Sequence, residues 1–247
     1  MPGVTMSGVT MPGVEPWLAL LASPLAWLTA TLFAYLAAQE LHRRSGGHPL
    51  TQPVALAVAM LVALVLATGT PVETYGEATQ PLRFLLGPAT VALAVPIHQH
   101  RGLILRTLLP LGAALLAGCV TAVLSVLALA RLFGLSEATT RSLLPKSATM
   151  PIAMEVAGQT GGLAALAMVF VMATGILGTI LAGPLHRRFP GLDQRGLGFA
   201  LGLAAHGIGV ARAVQIGSVA AVFAGLAMAL NGLATALLVP VVLRLAG

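Results

Sequence analysis

Long apolar runs, separated by short polar stretches, make up most of the 247-residue chain. About 20 apolar residues in a helix cross the hydrocarbon core of a bilayer. The runs are continuous rather than alternating with period two, which argues against a β-barrel. The pattern therefore predicts an all-α membrane protein with about seven transmembrane helices, at residues 17–38, 50–69, 81–97, 103–132, 163–185, 197–213 and 219–243.

Composition strengthens this assignment, because only 8% of the residues are charged and the mean hydropathy is +0.95. Soluble domains carry roughly 25% charged residues. We expect residues 17–247 to form a single transmembrane domain. Residues 1–16 are rich in Pro and Gly and lack the basic start of a signal peptide, so we predict a disordered tail.

The excess of 13 Lys and Arg over 7 Asp and Glu lies in short loops. Cationic side chains in such loops set the orientation of the helices and contact lipid headgroups. We therefore expect no nucleic-acid partner. The distribution of Lys and Arg between the loops of the two membrane faces favours an outside N-terminus, with the segment 143–156 entering and leaving on one face. The single cysteine, Cys119, has no disulfide partner and no metal-ligand spacing, so we predict that it serves packing and that the chain holds no metal or cofactor.

The segment 143–156, LLPKSATMPIAMEV, concentrates helix breakers and polar side chains between two apolar runs. Pro145 and Pro151 each lack an N–H and disfavour helix at the preceding residue. In lipid, such irregular backbone survives only where protein or a water-filled cavity covers it. The sequence therefore predicts a broken or re-entrant segment, with a new helix beginning near Pro151.

The polar side chains of this segment suit a small anion, most simply a carboxylate. Lys146 supplies a positive charge, Ser147 and Thr149 supply hydroxyls, and a helix N-terminus adds about half a positive charge. Glu155 is a candidate for carrying a coupled proton. The alternative is that Lys146 extends to the headgroup region and Glu155 caps the next loop.

A second polar island, AHGIGVAR, lies in the run 197–213. Gly207 and Gly209 loosen the helix and permit close approach of another backbone. His206 is either a hydrogen-bonded structural residue or a proton carrier. Arg212 either binds a carboxylate or marks the end of the helix. Pro88, in GPAT, interrupts the run 81–97 as a further candidate break.

A faint internal repeat places residues 86–102 over 201–217, running in opposite directions in the charge-derived topology. Inverted repeats whose broken helices meet near the midplane are typical of secondary transporters. Asn231, in the last run, is expected to serve packing or a hydrogen bond across helices.

Four motifs closely resemble the LrgB/CidB family of bacterial inner-membrane proteins, from about residue 82 to the C-terminus: LLGPATVALAVPI, LLPKSATMPIAMEVAGQTGGLAAL, LAAHGIGVARAVQIG and FAGLAMALNGLATALLVP. The chain departs from the family at Met150, Ala205 and Val210, where relatives commonly carry hydroxyl side chains. Residues 17–69 are expected to supply the family's first helices.

The resemblance implies one of two functions in the bacterial inner membrane. One is secondary transport of a small monocarboxylate such as glycolate, glycerate or pyruvate, since the family is similar to the plastid glycolate/glycerate translocator. The other is holin- or antiholin-like regulation of murein hydrolase activity and lysis with an LrgA/CidA-type partner. We favour transport, expect association with the lipid bilayer and assembly into homo-oligomers, and predict no enzyme, because no catalytic motif is present.

Overall fold

A computed structural model describes residues 23–48, 51–92 and 94–246 of the chain, and these residues contain α-helices but no β-strand. The all-α prediction is thereby confirmed. The chain divides into two compact units, the first formed by residues up to 47 with 53–89 and the second by 48–52 with 90–247. The predicted tail, 1–16, and the start of the first run, 17–22, lie outside the described residues.

The first unit contains α1 (Pro24–Arg44), α2 (Pro53–Thr68), α3 (Val72–Ala78) and the beginning of α4 (Gln80–Ala92). α1 begins at the N-cap Ser23, whose hydroxyl accepts a hydrogen bond from the Ala26 N–H. Trp27, which is 1% exposed, packs its ring edge-on against Tyr75 at a centroid distance of 5.5 Å. The phenol of Tyr75 also lies 3.2 Å from the hydroxyl of Thr31, and these contacts join α1 to α3.

The predicted break at Pro88 is wrong, because this proline lies inside α4 without ending it. A proline in a helix removes one hydrogen-bond donor and crowds the preceding turn, which bends a helix more readily than it stops one where neighbouring turns stay intact. The short α5 (Ala94–Gln99) follows α4 in the run 81–97.

The second unit continues with seven helices, α6 (Arg101–Arg106), α7 (Leu108–Leu132), α8 (Glu137–Leu143), α9 (Met150–Gln159), α10 (Ala164–Arg188), α11 (Gln194–Ile216) and α12 (Ser218–Ala246). The run 103–132, predicted as one helix, is divided at Thr107. Its hydroxyl bonds back to the Leu103 carbonyl at 2.9 Å, and Pro110, one turn later, has no N–H to donate across the junction.

Four of the described helices are long and apolar enough to cross a membrane, at Leu108–Leu132, Ala164–Arg188, Gln194–Ile216 and Ser218–Leu245. The chain therefore has the helices of a multi-pass membrane protein. α2, with 16 residues, is apolar but shorter than these helices. The predicted count of seven transmembrane helices stays a prediction.

α8 and α9 form a helical hairpin, the first hairpin (Glu137–Gln159), with its tip in the loop 144–149. The chain returns to α8 after α9, because Arg141 Nη1 donates to the Thr160 carbonyl at 3.2 Å and the Leu163 N–H donates to Ser142 Oγ at 2.7 Å. The predicted entry and exit on one face of the membrane stays a prediction.

α11 forms a second hairpin (Gln194–Ile216), although its length and composition are those of a single span. Its backbone leaves the helical region at His206, with φ 41° and ψ −131°. A Cβ at Gly209 would overlap the Leu201 carbonyl, and a Cβ at Gly217 would lie 3.0 Å from Oε1 of Gln194. In a straight helix, Leu201 and Gly209 would be about 12 Å apart. Their close contact therefore requires the chain to reverse between them, at His206.

The two hairpins begin at opposite ends of α7. Glu137, at the base of the first hairpin, shares a cavity with Leu127 and Gly134 near the C-terminal end of α7. Asp193, at the base of the second hairpin, shares another cavity with Thr107 and Leu111 at the N-terminal end. Both tips consequently point towards the middle of α7.

Candidate functional site

A central cavity of about 390 Å³ lies where the two hairpin tips meet the middle of α7. Its walls come from α7, the tip of the first hairpin, α10, the second hairpin and α12. The lining residues are Ala117, Gly118, Thr121, Ala122, Lys146, Ser147, Thr174, Leu203, Ala204 and Asn231. Most of these are small or apolar, so the few polar side chains define its chemistry.

Lys146 is the charged residue of this cavity, and it lies on the tip of the first hairpin. Its Nζ donates a hydrogen bond to Ser147 Oγ at 3.3 Å. The ion pairs within the described part of the chain join other residues, near helix ends, and none includes Lys146. A half-buried ammonium without a carboxylate partner attracts an anion, because burial of an unpaired charge is costly.

The amide of Asn231, on α12, joins the two hairpin tips. Its Nδ2 donates to the Ser147 carbonyl at 2.7 Å and to the Leu203 carbonyl at 3.1 Å, while its Oδ1 accepts from Cys119 Sγ at 3.1 Å. Asn231 is 2% exposed, so these bonds replace water that the backbone of the tips cannot reach. The predicted hydrogen bond across helices is confirmed, and Cys119 takes part in it as well as in packing.

His206 forms the tip of the second hairpin and anchors it to α10. Its φ and ψ are close to the first central position of a type II′ turn, which glycine normally occupies. Its Nε2 donates to the Val171 carbonyl at 2.9 Å, which requires the ring proton on that nitrogen. Gly175 makes room for the ring, since a Cβ there would lie 2.7 Å from His206 Cε1.

Four predicted site residues do not line the central cavity, namely His206 and three others. Glu155 is exposed on α9 and accepts a hydrogen bond from Gln159 Nε2 at 2.7 Å. Arg212 donates to the side chain of Gln215 at 2.7 Å, on the returning half of the second hairpin. Thr149 is the N-cap of α9, and its side chain makes no capping hydrogen bond. The structure brings Lys146 and Ser147 together in the cavity lining but not these four residues.

The predicted break residues act in different ways. Pro145 is fully buried and begins the turn in which the Ala148 N–H bonds to its carbonyl at 2.9 Å. Pro151 lies in the first turn of α9, where its missing N–H is not needed, so the new helix begins near Pro151 as predicted. The second-hairpin break falls at His206 rather than at Gly207, while Gly209 provides the predicted close approach between backbones.

Sequence reasoning missed several residues of the site. Thr121 and Thr174 contribute hydroxyls to the cavity, and Leu203 packs against Gly118 at its edge. The available signal was a single hydroxyl inside a long apolar helix, which is weak. No group of three potential His, Cys, Asp or Glu metal ligands occurs within the described residues.

At the base of the second hairpin, Asp193 is the N-cap of α11 and accepts from the Gly196 N–H at 2.9 Å. This backbone bond and the Arg195 guanidinium hold the pKa of Asp193 below its usual range. The ionised carboxylate therefore stabilises the start of the hairpin through the partial positive charge of the helix N-terminus.

Comparison with known proteins identifies the relatives of this chain. Residues 31–245 match the LrgB-like family. The Bacillus subtilis protein YwbG is 32% identical over 217 residues, covering 87% of this chain and 96% of that protein. The antiholin-like protein LrgB of the same organism is 28% identical over 225 residues, covering 91% of this chain and 97% of that protein. No solved structure matches the chain.

Proposed function

The chain belongs to the LrgB-like family, and we propose that it is a secondary transporter of small monocarboxylates in the bacterial inner membrane. One observation carries this proposal: the Lys146 ammonium lies unpaired in a central cavity between two hairpin tips that begin at opposite ends of α7. Discontinuous helices that meet near the midplane are how secondary transporters build their substrate sites. The proposal includes no catalysed reaction, metal or cofactor.

In this proposal, Lys146 binds the carboxylate and Ser147 donates a hydrogen bond to one of its oxygens. Helix α9 begins two residues after Ala148, so the positive end of its dipole adds to the attraction. Thr121 and Thr174 are placed to bond the hydroxyl or keto oxygen of the substrate. A volume of about 390 Å³ falls within the range of small-molecule sites, about 300–1,000 Å³.

The charge of the cavity supports a monocarboxylate over a dicarboxylate. Lys146 is the one charged side chain that lines it. A second carboxylate would enter an apolar wall without a compensating cation, which costs several kcal/mol or more. Arg212, the second predicted carboxylate ligand, is bonded to Gln215 outside the cavity, so Lys146 carries the role alone. Of the two candidates for a coupled proton, Glu155 is exposed and bonded to Gln159 outside the cavity. We therefore favour His206, whose imidazole is bonded to the Val171 carbonyl.

Counterflow of labelled glycolate, glycerate and pyruvate in proteoliposomes tests this function. We expect saturable exchange that is lost in Lys146→Ala and in Lys146→Arg, because a guanidinium presents its donors in a planar fork and cannot replace a compact ammonium at the same point. Arg244→Ala, which removes an exposed cation from the last turn of α12, serves as the matched control and retains exchange. Unchanged exchange in Lys146→Ala would contradict the proposed site.

A second candidate is supported by the relatives of the chain, which include the antiholin-like LrgB proteins of Bacillus subtilis and Bacillus cereus. In this alternative, the chain regulates lysis together with an LrgA-type membrane protein. Association with that partner would then survive Lys146→Ala, and no solute would exchange in proteoliposomes of the chain alone. Counterflow and co-purification, measured on the same variants, distinguish the two functions.

We also propose a different location for the inverted repeat. α7 and α10 each have 25 residues, and each precedes one of the hairpins, which begin at opposite ends of α7. The two copies would then be α7 with the first hairpin and α10 with the second hairpin, in inverted orientation. Because the second hairpin returns to its starting side, cysteine labelling should find residues 194 and 217 on the same face of the membrane.

A further inference from the structure

Three cavities follow one another along α7. The first, about 490 Å³, contacts Thr107, Leu111 and Ala114 at the N-terminal end. The second is the central cavity, about 390 Å³, at Ala117 and Ala122. The third, about 300 Å³, lies at the C-terminal end beside Leu127 and Gly134. α7 is about 37 Å long at 1.5 Å per residue, so this series extends over the thickness of a membrane.

Leu203 separates the first cavity from the central one. It is the one side chain that lines both cavities, and it lies in the first half of the second hairpin, three residues before the turn at His206. Its Cδ2 occupies the space beside Gly118 of α7, where a Cβ would overlap it. Any larger residue at position 118 would therefore displace this leucine.

A cluster of buried apolar side chains closes the other end of the central cavity. It lies between the central cavity and the third one, and its members come from α7, both parts of the first hairpin, and α12, namely Val123, Val126, Leu144, Val156 and Val239. These side chains are between 0% and 5% exposed. At the first end, Leu203 packs against a second cluster, which includes Phe199, Val222 and Phe223. Leu203 differs from the other members of both clusters because it lines the cavities on both of its sides.

The backbone of Leu203 is also connected to the tip of the first hairpin, which carries Lys146. The amide of Asn231 donates both to the Leu203 carbonyl and to the carbonyl of Ser147, which is the neighbour of Lys146. A shift of the tip around a bound anion would therefore reach the backbone of Leu203 through a single side chain.

We propose that Leu203 is the gate between the central cavity and an access cavity at the Asp193–Arg195 end of the protein. This proposal rests on the proposed transport function and specifies its access route. Apolar constrictions close a path to water and ions without a charged barrier. The same end carries Arg101, Arg106, Arg187 and Arg188, so the positive-inside rule assigns the access cavity to the cytoplasmic side.

Cysteine accessibility tests the gate directly. The native chain has one cysteine, so Cys119→Ser provides the background and Thr174→Cys places a reporter in the central cavity. The probe is a membrane-impermeant, negatively charged methanethiosulfonate, added to inside-out or right-side-out vesicles. A separate Arg195→Cys variant identifies the face on which the access cavity lies.

We expect Leu203→Ala to raise the labelling rate of the reporter at least tenfold from the face that labels Arg195→Cys, and less than twofold from the other face. Leu111→Ala is the matched control, because it removes the same atoms from the access cavity without facing the central one, and it should change the rate less than twofold. Should Leu203→Ala fail to insert, Leu203→Val allows the same comparison with a smaller opening.

An unchanged rate, an equal rise from both faces, or an equal effect of Leu111→Ala would overturn the gate. Labelling needs no transported solute, so this failure is distinct from a failure of the proposed function. Intact counterflow in Lys146→Ala would overturn the substrate site while the gate stood, and loss of selective labelling would overturn the gate while counterflow stood.

Discussion

The connection between the hairpin tips can be tested by replacing Asn231 with leucine, which has a similar size but no hydrogen-bonding group. Asn231 is 2% exposed and donates to two backbone carbonyls, those of Ser147 and Leu203. Neither carbonyl has an obvious replacement donor. Ser147 lies in the non-helical tip, and Leu203 lies within the last turn of a half-helix, where carbonyls lack partners from their own helix.

The expected cost follows from these two bonds. Hydrogen bonds between membrane helices contribute about 0.6 kcal/mol on average and up to about 1.7 kcal/mol. A buried carbonyl left without a donor costs about 1–3 kcal/mol. With two carbonyls affected, Asn231→Leu should reduce the free energy of unfolding by about 2–5 kcal/mol. For a chain of this length, that corresponds to a fall in Tm of about 4–20 °C.

Thermal unfolding of the purified protein in one detergent measures this effect. Cys119→Ala is the control, because it removes only a weak S–H donor from Asn231 Oδ1 and should cost less than about 1 kcal/mol. Asn231→Asp keeps the size but loses the donors, so it should be at least as harmful as leucine. If Asn231→Leu stayed within about 1 kcal/mol of the wild type, the two hairpin tips would not depend on this amide.

Three further changes follow from the same geometry. Gly202→Ala should destabilise the protein by about 1–3 kcal/mol, because its Cβ would overlap the Ala224 carbonyl, whereas Gly112→Ala, with open space, should be neutral or stabilising in the same unfolding assay. His206→Gly should be more stable than His206→Ala by about 1 kcal/mol, because both lose the Val171 bond but only glycine relaxes the backbone at φ 41°; the reverse order would contradict strain at this residue. Glu155→Gln should leave counterflow and its pH dependence unchanged, since this carboxylate is exposed and bonded to Gln159; a shifted pH profile would identify Glu155 as the coupling group.

Much of the fold could be predicted from the sequence where local chemistry determines it. Apolar runs gave helices because a bilayer leaves few alternatives for the backbone. The two prolines of the segment 143–156 marked the first hairpin, since Pro145 begins a turn and Pro151 lies in the first turn of a helix, where proline is best tolerated. Charge counting then favoured entry and exit on one face, which stays a prediction, although the contact between Arg141 and Thr160 shows that the chain returns to α8.

The second hairpin could not be predicted, because no proline marks its turn. The run 197–213 has the composition of a span, and its reversal depends on a histidine in a backbone conformation that glycine normally adopts. That conformation is maintained by tertiary contacts, namely the Val171 carbonyl and the space beside Gly175. Pro88 shows the converse case, in which a strong local signal was overridden and the helix continued.

The site was predictable only in part for the same reason. Lys146 and Ser147 are recognisable because polarity and helix breaks coincide in one short segment. Leu203 and Thr174 belong to apolar runs and enter the site through packing, which the order of residues along the chain does not reveal. Arg212 looked equivalent to Lys146 in sequence, but the return of the chain at His206 places it on the second half of the hairpin, bonded to Gln215.

The arrangement explains why an apolar chain retains polar residues at its centre. Two hairpins that begin at opposite ends of α7 bring four half-helix ends together, and each end carries backbone groups that lipid cannot satisfy. Asn231 supplies donors to two of the carbonyls, and Ser147 accepts a hydrogen bond from Lys146. The charge of Lys146 is left without a partner within the cavity lining. A bound anion would complete the site, which is why the proposed transport function depends on the unpaired ammonium.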